Sequence, residues 1–384
     1  MRLIAIACAV LVAACSPTLG QPVARPTPAQ STSSPSPSAE VAPTAIAAFV
    51  PVAESFVEAH RGLTFKSHVK VTFLGDGEFQ ARLASTESID AAAFVVEAKV
   101  LHALGLLEGL PDLAKAERAL QGASVVGYYD PKTKELVVRG VDATPTVRQV
   151  LVHELTHALQ DQWFGIDRTA HNDDESDLAF RTLVEGDAVR IQNEYIASLS
   201  ADEKRQVQAG EASGPGPPAD VPQVLLELES FPYIVGPRFT TSVVSVSQDR
   251  LDAAFRSPPA TTAEVIHPER FLAGQVAAAV DFPPAGGGVI DKGVIGELGL
   301  DLLMGRLASR GQLPRREAQT IGAAWNGDRY VAWDEGGATC VRTNFVMATP
   351  EATDALIGAL RKFAALQSRT TIAGRSPVVF TACA

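Results

Sequence analysis

The 384-residue sequence lacks any dense run of basic residues, any internal repeat and any phosphate-binding loop, and it has only four cysteines. Basic residues gather no more closely than in "DEKR" (202–205) and "PRRE" (314–317), under a net charge of −11. Nucleic acid is therefore excluded as a partner, because phosphate recognition needs clustered positive charge. The glycines of "AGGGV" (285–289) have neither phosphate-loop spacing nor a lysine, and they read as a flexible turn. Aromatic residues are scarce at 6%, yet 46% of the chain is hydrophobic. A chain of this length can bury a large core, as one big domain or two intimately packed ones.

The N-terminus is set apart from the rest. "MRLIAIACAVLVAAC" places Arg2 before an apolar run, Leu3 to Val12, that is too short to span a bilayer as a stable helix. Ala13 and Ala14 then lead into Cys15, and "VAAC" resembles the lipobox of bacterial lipoproteins. That resemblance implies a signal peptide over 1–14 and acylation of Cys15, which anchors the protein to the outer face of the cell membrane. A plain secretory signal with an incidental cysteine is the alternative, and it too exports the protein. Residues up to 44 are Pro-, Ser-, Thr- and Ala-rich and cannot bury enough surface to offset their ordering entropy, so 15–44 reads as a lipid-anchored, disordered tether. Cys340 and Cys383 are the cysteines left in the folded body. In an oxidising compartment they most simply form one disulfide pinning the C-terminal tail, the alternative being two free buried thiols.

From Ala45 onward the chain reads as a single α+β domain, with a sheet and active helices over 45–209 and a largely helical C-terminal part over 223–384. "AAFVPVAESFVEAHRGL" has helical spacing stopped at Gly62, and "FKSHVKVTFL" alternates as a strand. "SVVGYYDPKTKELVVRG" reads as a hairpin turning at Pro131. "TVRQVLVHELTHALQDQWF" follows, a helix that Thr144 can cap and Pro145 can open. A second long helix runs from about Glu175 to Leu199.

The first of these helices carries His153, Glu154 and His157 in the spacing H-E-x-x-H. Residues four apart share a helix face, so both imidazoles can reach one ion. Glu154 lies about 100° round from His153, close to the ion without aiming at it, which suits a general base. Catalytic zinc takes three protein ligands and keeps one open position. No third histidine follows at short spacing; the next, His171, sits in a polar turn. Glu185 in "RTLVEGDAV" is the stronger third ligand, because a carboxylate among Leu183, Val184 and Ala188 needs a partner for its charge. The competing reading pairs it with Arg181. Asp177 and Asp187 are candidate partners for the ligand imidazoles. For a donor to a developing oxyanion the candidates are His267, Tyr233 and Tyr195, with His267 first. His60, His68 and His102 have no ligand-spaced partner and read as structural.

Two histidines of H-E-x-x-H with a glutamate from the next long helix resemble the gluzincin branch of the zincin metallopeptidases. "RGLTFKSHVKVTFL", "VVGYYDPKTKELVV", "HELTHALQDQ", "LVEGDA", "VIHPERF" and "AAWNGDRY" resemble, in this order, a group of exported bacterial zinc metallopeptidases. The resemblance implies a zincin-like fold, with a small twisted β-sheet over the active-site helix. It also implies one Zn2+ per chain held by His153, His157 and Glu185. Glu154 would take a proton from water and pass it to the leaving amine. The strand near Leu136 to Arg139 would be the edge that pairs with an extended peptide or protein substrate. Two other readings stay open: a non-catalytic zincin-scaffold lipoprotein serving as a binding or envelope-assembly module, and zinc-dependent hydrolysis of an amidated cell-wall component.

Overall fold

The computed structural model describes residues 45–86, 90–168, 173–214 and 216–384. The residues read above as signal peptide and tether, Cys15 among them, and His171 lie outside them. Helix α1 (Ala45–Arg61) leads to strand β1 (Lys70–Leu74) and then to α2 (Asp76–Thr86), α3 (Ala91–Ala103) and α4 (Leu113–Ser124). α1 stops where Gly62 turns left-handed at φ 72°, a conformation that a Cβ resists. Asp90 and Asp112 start α3 and α4 by accepting first-turn N–H groups.

The hairpin pairs β2 (Gly127–Asp130) antiparallel with β3 (Glu135–Arg139). In its turn the Asp130 carboxylate accepts the Lys132 N–H at 2.9 Å and the Thr133 hydroxyl at 2.9 Å. β1 joins β3 in parallel, giving the order β1-β3-β2. This corrects one expectation: the strand carrying Leu136 to Arg139 is the centre of the sheet, not its edge. Leu136, Val137 and Val138 are successive buried residues, as a strand covered on both faces requires. The edge strands are β1 and β2.

α5 (Pro145–Phe164) and α6 (Asp174–Ser198) then pack against each other, followed by α7 (Ala201–Ser213). Thr144 caps α5 by accepting the Val147 N–H at 3.2 Å, Pro145 opens it, and Gly165 ends it at φ 66°. Every residue from Gln149 to Asp161 is buried, because α1, the small sheet and α6 enclose α5. Its polar side chains must therefore find partners inside the protein.

The C-terminal part comprises α8 (Gln223–Val244), α9 (Gln248–Arg256), α10 (Thr262–Ile266), α11 (Pro268–Leu272), β4 (Val289–Gly293), α12 (Gly296–Ser309), α13 (Arg315–Ala323), β5 (Trp325–Glu335), β6 (Ala338–Met347), α14 (Pro350–Leu366), β7 (Thr370–Ala373) and β8 (Val378–Cys383). Its helices share the space with an antiparallel five-stranded sheet of order β4-β5-β6-β8-β7, larger than the N-terminal one. The description "largely helical" understates this sheet. Helices α12, α13 and α14 cover one of its faces through Leu303, Ile321 and Leu360, which share a core with Phe380 of β8. Cys340 and Cys383 stand opposite each other on β6 and β8 and are joined by a disulfide. The "AGGGV" run is a packing surface more than a free turn: a Cβ at Gly286 would lie 2.8 Å from the Trp333 indole nitrogen. The chain is an α+β protein with small sheets, and none of the described helices is long and apolar enough to cross a membrane.

Candidate metal centre

His153 and His157 project from one face of α5 toward Glu185 on α6, and all three side chains are fully buried. The two Nε2 atoms are 3.0 Å apart, and the Glu185 Oε2 lies 3.4 Å from that of His153 and 3.3 Å from that of His157. These sides match one face of a tetrahedron whose metal–ligand bonds are 2.0–2.1 Å, for which the edge is about 3.3 Å. The donor set, two imidazole nitrogens and one carboxylate oxygen, could hold a divalent metal ion.

α6 is brought against α8 without intervening side chains. A Cβ on Gly186 would lie 2.3 Å from the carbonyl carbon of Gly236, and one on Gly236 would lie 2.4 Å from the Thr182 carbonyl oxygen. This contact sets the depth of Glu185, the neighbour of Gly186. It also brings Tyr233 of α8 against His153, with ring centroids 6.4 Å apart and planes at 24°. Gly186→Ala must push the helices apart. We expect it to cost about 1–3 kcal/mol or more, as overpacked cores do, and to weaken metal binding. A variant that melts and binds metal like wild type would contradict this account of the contact.

The imidazoles are oriented by amides. His153 Nδ1 meets Gln192 Oε1 at 2.8 Å, and His157 Nδ1 meets Gln160 Oε1 at 3.0 Å. Each bond leaves Nε2 turned to the ligand face. Asp187 touches neither imidazole and reaches His157 only through Gln160. Asp177 is half-buried in the first turn of α6, about two turns before Glu185. Arg181 pairs with Glu229 of α8 at 2.8 Å, not with Glu185.

The oxyanion candidates separate clearly. The Glu297 carboxylate accepts from His267 Nε2 at 2.7 Å, in a cluster that includes Arg270. Beside it, Glu175 in the first turn of α6 accepts the N–H and hydroxyl of Thr262. Glu185 lies about 15 Å further along that helix, at 1.5 Å per residue. His267 is thus placed away from the ligand group, against the expectation that ranked it first. Tyr195 is equally far along α6 in the other direction, edge-on to Phe56. Of the three, Tyr233 is the one beside the imidazoles. His60 and His102 hydrogen-bond backbone carbonyls of Phe56 and Leu107, and His68 lies on the surface near Glu54.

Glu154 is also fully buried. Its Oε2 accepts the Tyr129 N–H of β2 at 2.8 Å, while its Oε1 has no hydrogen-bond partner among the described residues. An orphaned buried carboxylate oxygen is costly unless something is bound there. Burial pushes the Glu154 carboxyl up to about 8, and the Glu185 charge adds to this against the pull of His157.

The three ligands share charge in the metal-free protein. Burial opposes a charged His157, but the Glu185 carboxylate outweighs it and pushes the imidazole up to about 9. Burial would raise Glu185 too, yet His157 and the two imidazole hydrogen bonds hold it well below the usual carboxylate range. His153, mainly through burial, is lowered and stays neutral. A proton on His157 therefore stands where a cation would. Because the folded value is raised, the stability that this proton contributes is complete below the free imidazole value of about 6.5 and is lost as pH rises toward about 9. Metal must displace the proton. We expect metal affinity to rise about tenfold per pH unit from pH 6 to 8, and calorimetry in buffers of different ionisation enthalpy to show at least about one proton released. An affinity independent of pH over that range would rule this out.

No family model, curated protein or solved structure matches the chain. Sequence reasoning missed Gln160, Gln192 and Tyr129. Gln160 three residues after His157, and Gln192 two helical turns after Glu185, carried a readable signal: each is an amide on the same helix face as a ligand. Tyr129 carried none, since it acts through its backbone.

Proposed function

We propose that the chain is a zinc metallopeptidase of gluzincin-like, zincin-fold construction, exported and lipid-anchored at Cys15, that hydrolyses peptide bonds outside the cytoplasmic membrane. The observation that carries this reading is the combination of a three-donor face with a buried carboxylate oxygen, Glu154 Oε1, left unpaired beside it. A purely structural ion gains nothing from such a neighbour. His153, His157 and Glu185 hold the ion. An ion held by these residues would supply a bound water with its pKa lowered to about 7 and polarisation of the substrate carbonyl.

The remaining steps belong to the chain itself. The Tyr129 N–H keeps Glu154 Oε2 engaged, so Oε1 is the atom that accepts a proton from the attacking water. The same atom returns that proton to the leaving amine. Tyr233, next to His153, replaces His267 as the donor to the developing oxyanion. The edge strand β2 (not the central β3) would align an extended peptide through backbone groups other than the Tyr129 N–H, because it is the edge strand that already holds the base.

Metal removal tests the proposal. The purified full-length protein should hold about one zinc per chain and cleave members of a broad peptide library. Chelation should abolish cleavage, and added Zn2+ should restore it. A zinc-loaded protein that cleaves neither peptides nor envelope material would sink the peptidase reading and favour a binding module.

A further inference from the structure

Behind His157 runs a buried chain of hydrogen bonds that links four helices, α5, α6, α1 and α9. Gln160 presents its Oε1 to His157 Nδ1 at 3.0 Å, and its Nε2 donates to the Val184 carbonyl at 3.1 Å and to Asp187 Oδ2 at 3.1 Å. Asp187 in turn accepts Arg61 Nε at 2.6 Å and Arg190 at 2.7 Å. Arg61 is the last residue of α1, is fully buried, and also donates to Asp252 of α9 at 2.7 Å. Its guanidinium lies beside the stacked Phe164 and Phe255 rings, 5.6 and 5.4 Å from their centroids.

These partners dictate one another's orientation. A carboxylate flanked by two guanidinium groups is an acceptor only, and so is the Val184 carbonyl. Both amide hydrogens of Gln160 must therefore face α6, which leaves its oxygen, and only its oxygen, for His157. An acceptor at Nδ1 requires that nitrogen to carry a proton, so the proton that a metal displaces is the one on Nε2, whose lone pair then faces the ion. Reversing the Gln160 amide would set two N–H donors against His157 and an oxygen against Asp187.

We propose that Asp187, held by Arg61 and Arg190, is a positioning residue that selects the metal-binding tautomer of His157 through Gln160. This rests on the reading of His153, His157 and Glu185 as metal ligands. It assigns a role to α1, which touches none of them: its terminal arginine clamps the acceptor that fixes the amide.

The test uses Zn2+ and Co2+ alone, so it does not depend on any peptidase activity. In the full-length protein Asp187→Asn lets the Gln160 amide reverse. Zn2+ affinity, read by chelator competition, should fall about 10- to 100-fold, the usual effect of losing an outer-shell partner, and the Co2+ absorption spectrum should change. Asp187→Asn combined with Gln160→Glu restores the polarity of the chain, with an acceptor facing His157 and an amide donor behind it. That double variant should regain most of the affinity while remaining as thermally destabilised as Asp187→Asn, a split that a merely structural role for Asp187 would not produce. An unchanged affinity in Asp187→Asn, or a double variant that binds no better than it, overturns the proposal. If Asp187→Asn does not fold, Gln160→Met carries the test, since it leaves the Arg61–Asp187–Arg190 cluster intact. It must weaken Zn2+ by a similar factor, and wild-type affinity overturns the proposal. A wild-type protein that binds no Zn2+ would instead refute the metal-centre reading itself.

Discussion

Glu154→Gln is expected to keep its metal and lose its hydrolysis. The amide has the shape of the carboxylate, and its oxygen can still accept the Tyr129 N–H that holds Oε2 in place at 2.8 Å. What disappears is the proton-accepting capacity of Oε1, the atom without a partner. General bases contribute about 10²–10⁴-fold to rate, so turnover should fall by at least the lower of these factors. Zinc content should remain that of wild type, because Glu154 is not among the three donors. The pairing of these two results is the informative part. A variant that lost both metal and activity would show Glu154 to be a ligand or a structural group, and one that kept activity would remove it from the mechanism.

Glu185→Ala should empty the site. It deletes the only anionic donor of the three, leaving two neutral imidazoles 3.0 Å apart in a fully buried pocket. A one-ligand share of the binding free energy of a four-ligand zinc site corresponds to a loss of roughly a hundred- to a thousandfold in affinity. A second readout accompanies it. The Glu185 charge is what lifts His157 to about 9 against the effect of burial. In the metal-free variant His157 should therefore titrate lower, and its NMR titration should move down from that value. Zinc retained at wild-type affinity, with His157 still titrating near 9, would show that another group supplies the third donor.

Much of the active half was legible because its determinants are local. Thr144, Pro145 and Gly165 bound α5 through capping and backbone conformation, which depend on neighbours within one turn. The hairpin at Pro131 and the start of α6 near Asp174 are local in the same sense. Cys340 and Cys383 could be paired because, once Cys8 and Cys15 were read as lying outside the folded body, they were the two that remained. His267 was misplaced for the opposite reason. A histidine before a proline looks like a loop residue available for chemistry, and only the fold shows it held by Glu297 at the far end of α6.

The strand order was equally out of reach. "ELVV" signals burial on both faces, but whether the strand has one hydrogen-bonded neighbour or two depends on where β1 lies, and β1 precedes it by sixty or so residues along the chain. What the sequence by itself determined is the 3.6-residue geometry that points His153 and His157 the same way and sets Glu154 beside them. The tertiary structure alone decided how deeply Glu185 reaches, through the Gly186–Gly236 contact, and which amides turn the imidazoles. Helical periodicity is written in adjacent residues, whereas the register between helices is settled by close packing between segments that share no local pattern.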